Sequence, residues 1–388
     1  MADLIEAVRR TFWSEKFWLP DEMSWESMKN HNPNIYKPQL TDLWSPVYLC
    51  LFICIIRIIF ERCVAAVVGR LYNLRSKVKR APANPIMEKA YTKYKVPDQQ
   101  LLESLSKQTD LTTRQVERWF RIRRNQDRTP VMKKFCESSW RCTYYAAMFC
   151  YGLYTLWDKP WLWDTSYCWN SWPEHHVSMD VYWYYTVQAG FYLALSLSLF
   201  TDHKRKDFTE MIVHHCATLG LMFLSWMVNF TRVGTLVLLV HDCVDPLMEA
   251  AKMAKYLKKE ALCTALFVCF LLTWVVTRMM LYPFKIIRST LYQAVPVVGM
   301  CDIYYLFNGL LITLQVLHVI WFYFILIITK EALFTGQLKK DSRSSDESIT
   351  DEEQSSDSKS SKTKVLTDKN GLKFLEQNGR SAHRISKK

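Results

Sequence analysis

Residues 207–256, DFTEMIVHHCATLGLMFLSWMVNFTRVGTLVLLVHDCVDPLMEAAKMAKY, decide the fold of this 388-residue chain. Two apolar blocks of about 20 residues, each long enough to cross a bilayer as a helix, are joined by a short turn. The first block carries His214 and His215, and the second carries Asp242 and Asp245. Ionisable side chains are costly inside a membrane span and by default indicate a functional site.

Apolar blocks of similar length recur along the chain and alternate with charged stretches, although the whole chain is only 50% hydrophobic. This segregation predicts an all-α polytopic membrane protein with about seven transmembrane helices. Short core helices of a soluble protein would rarely repeat at this length. The predicted spans are residues 44–65, 139–157, 181–201, 208–228, 232–251, 261–284 and 302–328.

Lys and Arg are concentrated in alternate loops, and this asymmetry predicts the orientation in the membrane. Segment 70–134 is strongly basic, whereas segment 158–180 has one lysine and many tryptophans. The N-terminus is therefore expected in the lumen and the C-terminus in the cytosol. A cytosolic face beside anionic lipid accounts for the net charge of +13 without a nucleic-acid partner. Cys168 and Cys301 fall on the lumenal side, and the sequence leaves open whether they form a disulfide.

A basic helical segment lies between the first two predicted spans. Its stretch DLTTRQVERWFRIRRNQDR (110–128) resembles the recognition helix of a homeodomain, with a Trp-Phe-x-x-Arg-Arg core. A homeodomain grips adenine with an Asn, where this chain has Ile122, and the first homeodomain helix is poorly represented in 85–100. DNA binding is therefore not favoured, and a small folded domain that contacts phosphate groups on the cytosolic face is expected instead. The arginines available for that contact are Arg121, Arg123 and Arg124.

The two blocks of the opening stretch predict a site for acid–base chemistry. Because consecutive spans are antiparallel, the histidine pair is expected about 10–12 Å deep, level with the acids of the next span. On a continuous helix, Asp242, Asp245 and Glu249 form one acidic stripe, although Pro246 is expected to kink that helix. An imidazole paired with a carboxylate serves as a general base, and an imidazole also accepts acyl groups. Acyl transfer between a membrane lipid and a soluble donor fits this arrangement better than a polar network that only joins helices.

Metal chemistry is the main alternative use of the histidines. Membrane di-iron enzymes need several histidine boxes of the HxxxH and HxxHH kind, which the sequence does not contain. A single metal held by His214, His215, His241 and an aspartate stays open, but adjacent histidines on a helix point about 100° apart. We therefore expect neither a metal nor another cofactor.

The opening stretch resembles the Lag1 motif of the TLC (TRAM-Lag1-CLN8) domain. Together with WFRIRRNQ (119–126) and KKFCESSWR (133–141), it makes nearly the whole chain resemble a vertebrate-type ceramide synthase. The resemblance implies an endoplasmic reticulum enzyme that N-acylates sphingoid bases such as sphinganine, with fatty acyl-CoA as co-substrate, and it admits a homodimer or a heterodimer with other family members. It leaves open which histidine is the base and which, if either, carries the acyl group. The residues to which it assigns catalytic roles are His214, His215, Asp242 and Asp245.

Further residues are expected to bind substrates. The acyl-CoA phosphates are expected at Lys204, Arg205 and Lys206, and Arg278 inside the sixth span needs a partner, either an acid of the site or a lipid group. A buried pair with a purely structural role is equally compatible with Arg278. The resemblance associates the loop between the last two spans with acyl-chain length. Its residues are Leu291, Tyr292, Gln293, Ala294, Val295, Pro296, Val297, Val298, Gly299, Met300 and Cys301.

The resulting domain organisation ends in a disordered tail rich in Ser and acidic residues. Ser344, Ser348 and Thr350 each precede an acid by three positions, which favours phosphorylation over simple solvation. A non-catalytic lipid sensor or transporter and a membrane-tethered transcription factor are the alternative functions. The predicted divisions are a lumenal segment (1–43), a first transmembrane helix (44–66), a cytosolic homeodomain-like segment (67–130), a TLC domain with six transmembrane helices (131–335) and the cytosolic tail (336–388).

Overall fold

The computed structural model describes residues 6, 11–21, 23–74, 79–201, 207–335, 365–367, 373–375 and 383–384. The chain divides into two compact units, one of residues 1–203 and 209–323 and one of residues 204–208 and 324–388. Lys204, Arg205 and Lys206, and the tail positions Ser344, Ser348 and Thr350, lie outside the described residues.

Each apolar block of the sequence folds into one or more helices. The helices in chain order are α1 (Glu15–Trp18), α2 (Trp44–Phe60), α3 (Ala66–Leu71), α4 (Pro85–Lys93), α5 (Gln99–Thr109), α6 (Thr113–Gln126), α7 (Val131–Leu156), α8 (Pro160–Trp163), α9 (Met179–Thr201), α10 (Phe208–Met227), α11 (Thr231–Asp242), α12 (Asp245–Tyr256), α13 (Glu260–Trp274), α14 (Val295–Val298) and α15 (Asp302–Thr335). Short 3₁₀ segments are Trp25–Met28, Leu40–Leu43 and Thr165–Cys168, and π-helical segments are Glu61–Ala65, Val275–Ile287 and Ser289–Gln293.

Two helical stretches of the described chain, Glu260–Val298 and Asp302–Phe334, are long and apolar enough to cross a membrane by length and composition. The other predicted spans coincide with helices whose apolar runs are shorter or interrupted by polar side chains. The prediction of a helical architecture is confirmed, whereas the number of seven spans stays a prediction.

The predicted fifth span is interrupted close to Pro246. Helix α11 ends at Asp242 and α12 begins at Asp245, with Pro246 in its first turn. Proline has no N–H to donate to the preceding turn, so a continuous helix is broken there. The predicted kink is confirmed, but the single acidic stripe is wrong because the break turns Asp242 and Asp245 toward different neighbours. Glu249, further along α12, has its own cationic partners. Lys252 Nζ lies 2.9 Å and Arg141 Nε lies 3.4 Å from its carboxylate.

The predicted sixth span contains a long π-helical segment that the sequence pattern did not indicate. Helix α13 runs directly into the segment Val275–Ile287, which contains Pro283. π-helical turns are rare and are frequent at functional sites. Arg278 and Tyr282, both buried in this segment, reach the candidate site described below.

One end of the larger unit is closed by contacts between the N-terminal segment and the loop that precedes α9. Lys37 Nζ lies 2.6 Å from a carboxylate oxygen of Glu174, and the Val177 N–H donates to the Tyr36 carbonyl at 2.9 Å. The predicted orientation puts both segments on the same side of the membrane, and the contacts between them agree with this placement.

Asn229 is buried in this same end. It is 0% exposed, and its amide donates to the carbonyls of Pro173 at 3.0 Å and His175 at 2.9 Å. Burial and the charge of Arg232 lower the pKa of His175 to about 4, despite its backbone bonds, so that ring is neutral at pH 7. Although Asn229 begins a formal Asn-x-Thr sequon, its side chain has no room for a glycan.

Cys168 and Cys301 are both free thiols. Burial raises the pKa of Cys168 to about 12, so this side chain stays protonated and unreactive. The disulfide that the sequence left open is not formed between them.

Helices α4, α5 and α6 form the small basic domain expected between the first two spans. Thr112 caps α6 in a capping box with Gln115. The core contains Val116, Trp119 and Phe120 from α6, packed against side chains of α4 and α5. The first homeodomain helix, expected to be poorly represented in 85–100, is present: α4 occupies nine residues, and Asn84 caps it. Asparagine and the following Pro85 form a strong helix start, which a search for family residues alone overlooks.

Arg123 joins two helices of this domain through ion pairs. Its guanidinium pairs with Glu88 at 2.8 Å and with Asp127, which also accepts the Tyr91 hydroxyl at 2.7 Å. Burial alone raises the pKa of the Asp127 carboxyl, but the bonds from Arg123 and Tyr91 outweigh it and hold that pKa below its usual range. Arg123 is thus engaged in ion pairs within the domain, and its contact with phosphates stays a prediction. Arg124 likewise donates to the Lys95 carbonyl at 3.2 Å.

In the segment predicted to be a disordered tail, the described residues form three short antiparallel strands. They are β1 (Val365–Thr367), β2 (Lys373–Leu375) and β3 (His383–Arg384), in the order β1-β2-β3. These strands differ from the expectation, and the rest of the predicted tail lies outside the described residues.

Candidate active site

Asp242, at the C-terminus of α11, is fully buried against α9. Its Oδ2 accepts a hydrogen bond from the Gln188 side-chain amide and a longer one, 3.5 Å, from the Tyr184 hydroxyl. Gly152 of α7 permits the close approach of Tyr184, because a Cβ there would lie 2.6 Å from the tyrosine ring. The partners of Asp242 are thus neutral donors, and its Oδ1 has no partner among the described residues.

Asp245, at the start of α12, is the partner that Arg278 requires. Arg278 Nη2 donates to Asp245 Oδ1 at 3.1 Å and to the His241 carbonyl at 3.2 Å. The guanidinium carbon also lies 4.3 Å from the ring centroid of Trp274, a cation–π contact. The sequence left open whether Arg278 pairs with an acid of the site or with a lipid group, and the structure shows that its partner is an acid of the site, Asp245.

The adjacent histidines of α10 lie on different faces, as the helical rotation of about 100° per residue requires. The His214 ring packs 5.3 Å from the ring of Trp321 on α15 and lies within electrostatic range of His241 and Arg278. His215 is 7% exposed. The Nδ1 atoms of both histidines are buried and have no partner among the described residues.

An apolar cavity of about 270 Å³ lies along α10, beginning one turn beyond the histidine pair. The cavity lies between α2, α9 and α10, and its lining includes Leu219, Met222 and Trp226. At i+4, i+7 and i+11 from His215, these residues follow one face of the helix. The cavity therefore offers space for part of an alkyl chain, although neither histidine lines it.

A fourth imidazole, in addition to those of His214, His215 and His241, joins the site from α15. His318 is 0% exposed, and its Nε2 lies 3.0 Å from His241 Nε2. His241 donates its Nδ1–H to the Val237 carbonyl at 2.6 Å. Tyr282 packs against both rings, at 5.3 Å from His241 and 5.1 Å from His318.

Direct pairing of the α10 histidines with the aspartates is not present. Among the described residues, no hydrogen bond or ion pair joins His214 or His215 to Asp242 or Asp245. Within the same part of the chain, no group of three or more His, Cys, Asp and Glu side chains is arranged to hold a metal ion. The structure brings the predicted residues into one bundle interior but divides them into a histidine group (His214, His241 and His318) and an aspartate group bound to Arg278 and Gln188.

The segment expected to measure the acyl chain is partly helical rather than an open loop. It contains the end of the π-helical segment Ser289–Gln293, then α14, then Gly299 with a φ of 72°. The Tyr304 hydroxyl donates to the Leu291 carbonyl at 3.0 Å, and the Thr165 hydroxyl donates to Gln293 at 2.9 Å. The segment thus lies at the same end of the unit as the tryptophan-rich loop.

Sequence reasoning missed Gln188, Tyr184 and His318. Each is a polar side chain inside an apolar block, which is the signal that identified His214 and Arg278. Gln188 and Tyr184 passed unnoticed because they are uncharged, and His318 because no motif surrounds it.

The arrangement combines basic nitrogens, carboxylates and a fixed cation in an interior shielded from solvent. Histidine nitrogens without partners can remove a proton or attack an activated acyl carbon. The Arg278–Asp245 pair places a fixed guanidinium beside the backbone of His241. These are the elements that acyl transfer to an amine requires.

Comparison with known proteins places the chain in a family. A family model of the TLC domain matches residues 134–327, and one of the homeodomain matches residues 83–129. The chain is 44% identical to ceramide synthase 5 of Homo sapiens over 345 residues, 88% of each chain. It is 38% identical to ceramide synthase 4 of Homo sapiens, covering 88% of this chain and 87% of the relative. It is 32% identical to ceramide synthase hyl-1 of Caenorhabditis elegans, covering 84% and 82%.

Proposed function

The chain belongs to the ceramide synthase family, and we propose that it transfers a fatty acyl group from acyl-CoA to the amine of a sphingoid base such as sphinganine. The observation that carries this proposal is the set of unpartnered histidine nitrogens inside one helical bundle that also contains the buried Asp242. A binding protein without catalysis has no need for several basic nitrogens at one level. The proposed reaction uses acyl-CoA as co-substrate and needs no cofactor.

His214 is the better placed of the two adjacent histidines to act on the acyl group. Its ring faces the interior that also holds His241 and Arg278. An imidazole there serves either as the base for the attacking amine or as the nucleophile that first accepts the acyl group. The apolar cavity begins at Leu219, one turn beyond His215, and offers space for part of an alkyl chain.

The aspartates act through other residues rather than by orienting the α10 histidines directly. Asp245 fixes Arg278, and Arg278 in turn holds the carbonyl of His241. Asp242 is held by Gln188 and has an unpartnered oxygen. We assign to Asp242 the role of accepting a hydrogen bond from the substrate, and to Asp245 the role of positioning Arg278.

The proposed setting is the endoplasmic reticulum membrane, crossed seven times, with a lumenal N-terminus and a cytosolic C-terminus. Support comes from the contacts between the N-terminal segment and the loop before α9, which require both to lie on one side. Acyl-CoA would approach from the cytosol, with its phosphates near Lys204, Arg205 and Lys206. The acyl chain would extend toward the lumenal segment 291–301, where the choice of chain length is expected.

The test is amide formation between sphinganine and acyl-CoA donors of increasing length, in microsomes from cells without endogenous ceramide synthases. His214→Ala and His215→Ala are assayed at equal expression beside His31→Ala, which removes an exposed imidazole far from the site. We expect wild-type protein and His31→Ala to form amide, and His214→Ala to lose it by a factor of about 10² or more. Wild-type protein that acylates no base with any donor would overturn the proposal.

A further inference from the structure

The hydrogen bonds of His241 fix the proton positions of His318. A carbonyl oxygen only accepts, so the 2.6 Å contact with Val237 requires a proton on His241 Nδ1. In a neutral ring the other nitrogen, Nε2, is then an acceptor. The 3.0 Å contact between the two Nε2 atoms is a hydrogen bond only if His318 supplies the proton. His318 is therefore protonated on Nε2 and carries its free electron pair on Nδ1.

His318 Nδ1 has no donor among the described residues, and the ring is 0% exposed. A buried acceptor without a partner costs about 1–3 kcal/mol, and native structures rarely retain one without a reason. His214, also with an unpartnered Nδ1, contacts Trp321, which lies one turn along α15 from His318. The two basic nitrogens thus border the same interior, which is where the proposed reaction occurs.

We propose that His318 is the catalytic residue that removes a proton from the sphingoid amine, and that His241 is a positioning residue that holds the required tautomer. The proposal rests on the proposed function, since it names the base for that reaction. His318 touches the reacting nitrogen, whereas His241 acts only through the bond between the two Nε2 atoms.

The protons balance as follows. His214 attacks the acyl carbon of the thioester, the C–S bond breaks, and the proton that the imidazole loses converts the thiolate into the thiol. The ammonium R–NH₃⁺ transfers one proton to His318 Nδ1, and the resulting R–NH₂ attacks the acyl carbon held on His214. The new C–N bond forms, the bond from that carbon to the imidazole breaks, and the second proton lost from nitrogen returns to the imidazole of His214. His318 then releases its proton to solvent, so that R–NH₃⁺ and the thioester yield the amide, the thiol and H⁺.

The two-ring arrangement lets the positive charge move away from the amine. When Nδ1 gains a proton, the Nε2–H can shift to His241 Nε2, leaving the charge on His241 with its Nδ1–H still bound to Val237. The titratable and charged groups that face His318 are His214 from α10, His241 from α11, and Arg278 and Tyr282 from the π-helical segment. The charge of Arg278 is offset by Asp245.

The test compares His318→Gln with the wild-type protein between pH 6 and pH 9.5, with sphinganine varied at saturating acyl-CoA. The glutamine amide can still donate to His241 Nε2, but glutamine accepts no proton in this range. His175→Gln is the matched control, because it also removes a buried imidazole bonded to a carbonyl but lies in the loop before α9. Binding of a non-hydrolysable acyl-CoA thioether reports whether each variant is folded.

If an internal base serves the amine, kcat/KM of the wild-type protein for sphinganine no longer changes with pH once the pH has reached a plateau region below the pKa of the amine. His318→Gln should lose about 10²-fold in kcat at pH 7, with little change in thioether binding. Its kcat/KM should rise about tenfold per pH unit, because only amine that solvent has already deprotonated can react. His175→Gln should keep the wild-type profile even where its stability is lower.

Three results would overturn the inference. A folded His318→Gln with the wild-type rate and plateau would show that His318 is structural. A wild-type profile that itself rises tenfold per pH unit through pH 9 would show that no internal base serves the amine, and this result does not depend on any variant. Absence of amide formation by the wild-type protein with every donor would overturn the proposed function, and this inference with it.

Discussion

Replacement of Arg278 by Met tests how strongly its buried ion pair stabilises the bundle. The side chains of Arg278 and Asp245 are 5% and 16% exposed, and their N···O distance is 3.1 Å. Two unit charges about 4 Å apart interact by roughly 4 kcal/mol at an effective dielectric constant of 20. The substitution also removes the bond to the His241 carbonyl and the cation–π contact with Trp274. Because Asp245 is left buried without a partner, the expected loss in unfolding free energy is about 3–5 kcal/mol.

A double-mutant cycle separates the pair from these other contacts. The variants are Arg278→Met, Asp245→Asn and the double substitution, and the assay is reversible unfolding in mixed detergent micelles as the fraction of SDS increases. Asp245→Asn alone leaves a buried guanidinium uncompensated, whereas the double variant leaves neither charge. The loss of unfolding free energy in the double variant should therefore be smaller than the sum of the two single-variant losses, by about 2 kcal/mol or more.

The matched control is the pair Lys133–Glu137, at 3.8 Å in the first turns of α7 and outside the predicted spans, where the side chains are 64% and 15% exposed. Its coupling should be no more than about 0.5 kcal/mol, the usual value for pairs four residues apart on a helix surface. If the free-energy losses of Arg278→Met and Asp245→Asn add up to that of the double variant within about 0.5 kcal/mol, the inference that this pair is coupled in the interior is refuted.

Three further predictions use the same membrane preparations. Asn229→Ala should lower the unfolding free energy by about 2–3 kcal/mol, since two buried hydrogen bonds of the side-chain amide are lost. Because buried Asn229 carries no glycan, wild-type protein should show no mobility shift on enzymatic deglycosylation. Gly152→Ala should reduce amide formation by displacing Tyr184, whereas Gly309→Ala, whose added Cβ meets nothing within 4 Å, should be neutral. Asp127→Asn should increase hydrogen exchange in α4 and α6 at pH 7. Because the folded pKa of Asp127 is depressed, its contribution falls progressively as pH drops from about 4, the ordinary value for Asp, through that lower pKa, and only below it should the variant match wild-type protein.

The sequence predicted the helices and the identity of the central side chains for local reasons. Apolar runs of about 20 residues specify helices whatever surrounds them. The histidine pair, the two aspartates and Arg278 stood out because charge inside an apolar run is rare. The break at Pro246 was equally local, since it depends on one residue and its immediate neighbours.

The lateral pairing of these side chains was not predictable from helical spacing. Counting residues at 3.6 per turn placed Asp242, Asp245 and Glu249 on one stripe, but that count fails once a proline interrupts the helix. The choice of Gln188 for Asp242 and of His318 for His241 joins residues 54 and 77 positions apart. Such contacts depend on how whole helices pack, which no local pattern encodes.

The unpartnered atoms of the interior distinguish a reaction site from a structural polar network. Among the described residues, Asp242 Oδ1, Gln188 Oε1 and the Nδ1 atoms of His214, His215 and His318 are buried without partners. Each costs about 1–3 kcal/mol in the absence of a donor, a large total for a protein of marginal stability. Asp242 Oδ1, Gln188 Oε1 and His318 Nδ1 are acceptors, whereas Arg278 Nε, Trp274 Nε1 and Trp321 Nε1 are donors that are likewise buried without partners in this part of the chain. A sphingoid base brings an ammonium group that donates and hydroxyl groups that both donate and accept. We therefore expect binding of the substrate to pair some of these atoms and to return part of the stability that they cost the free protein.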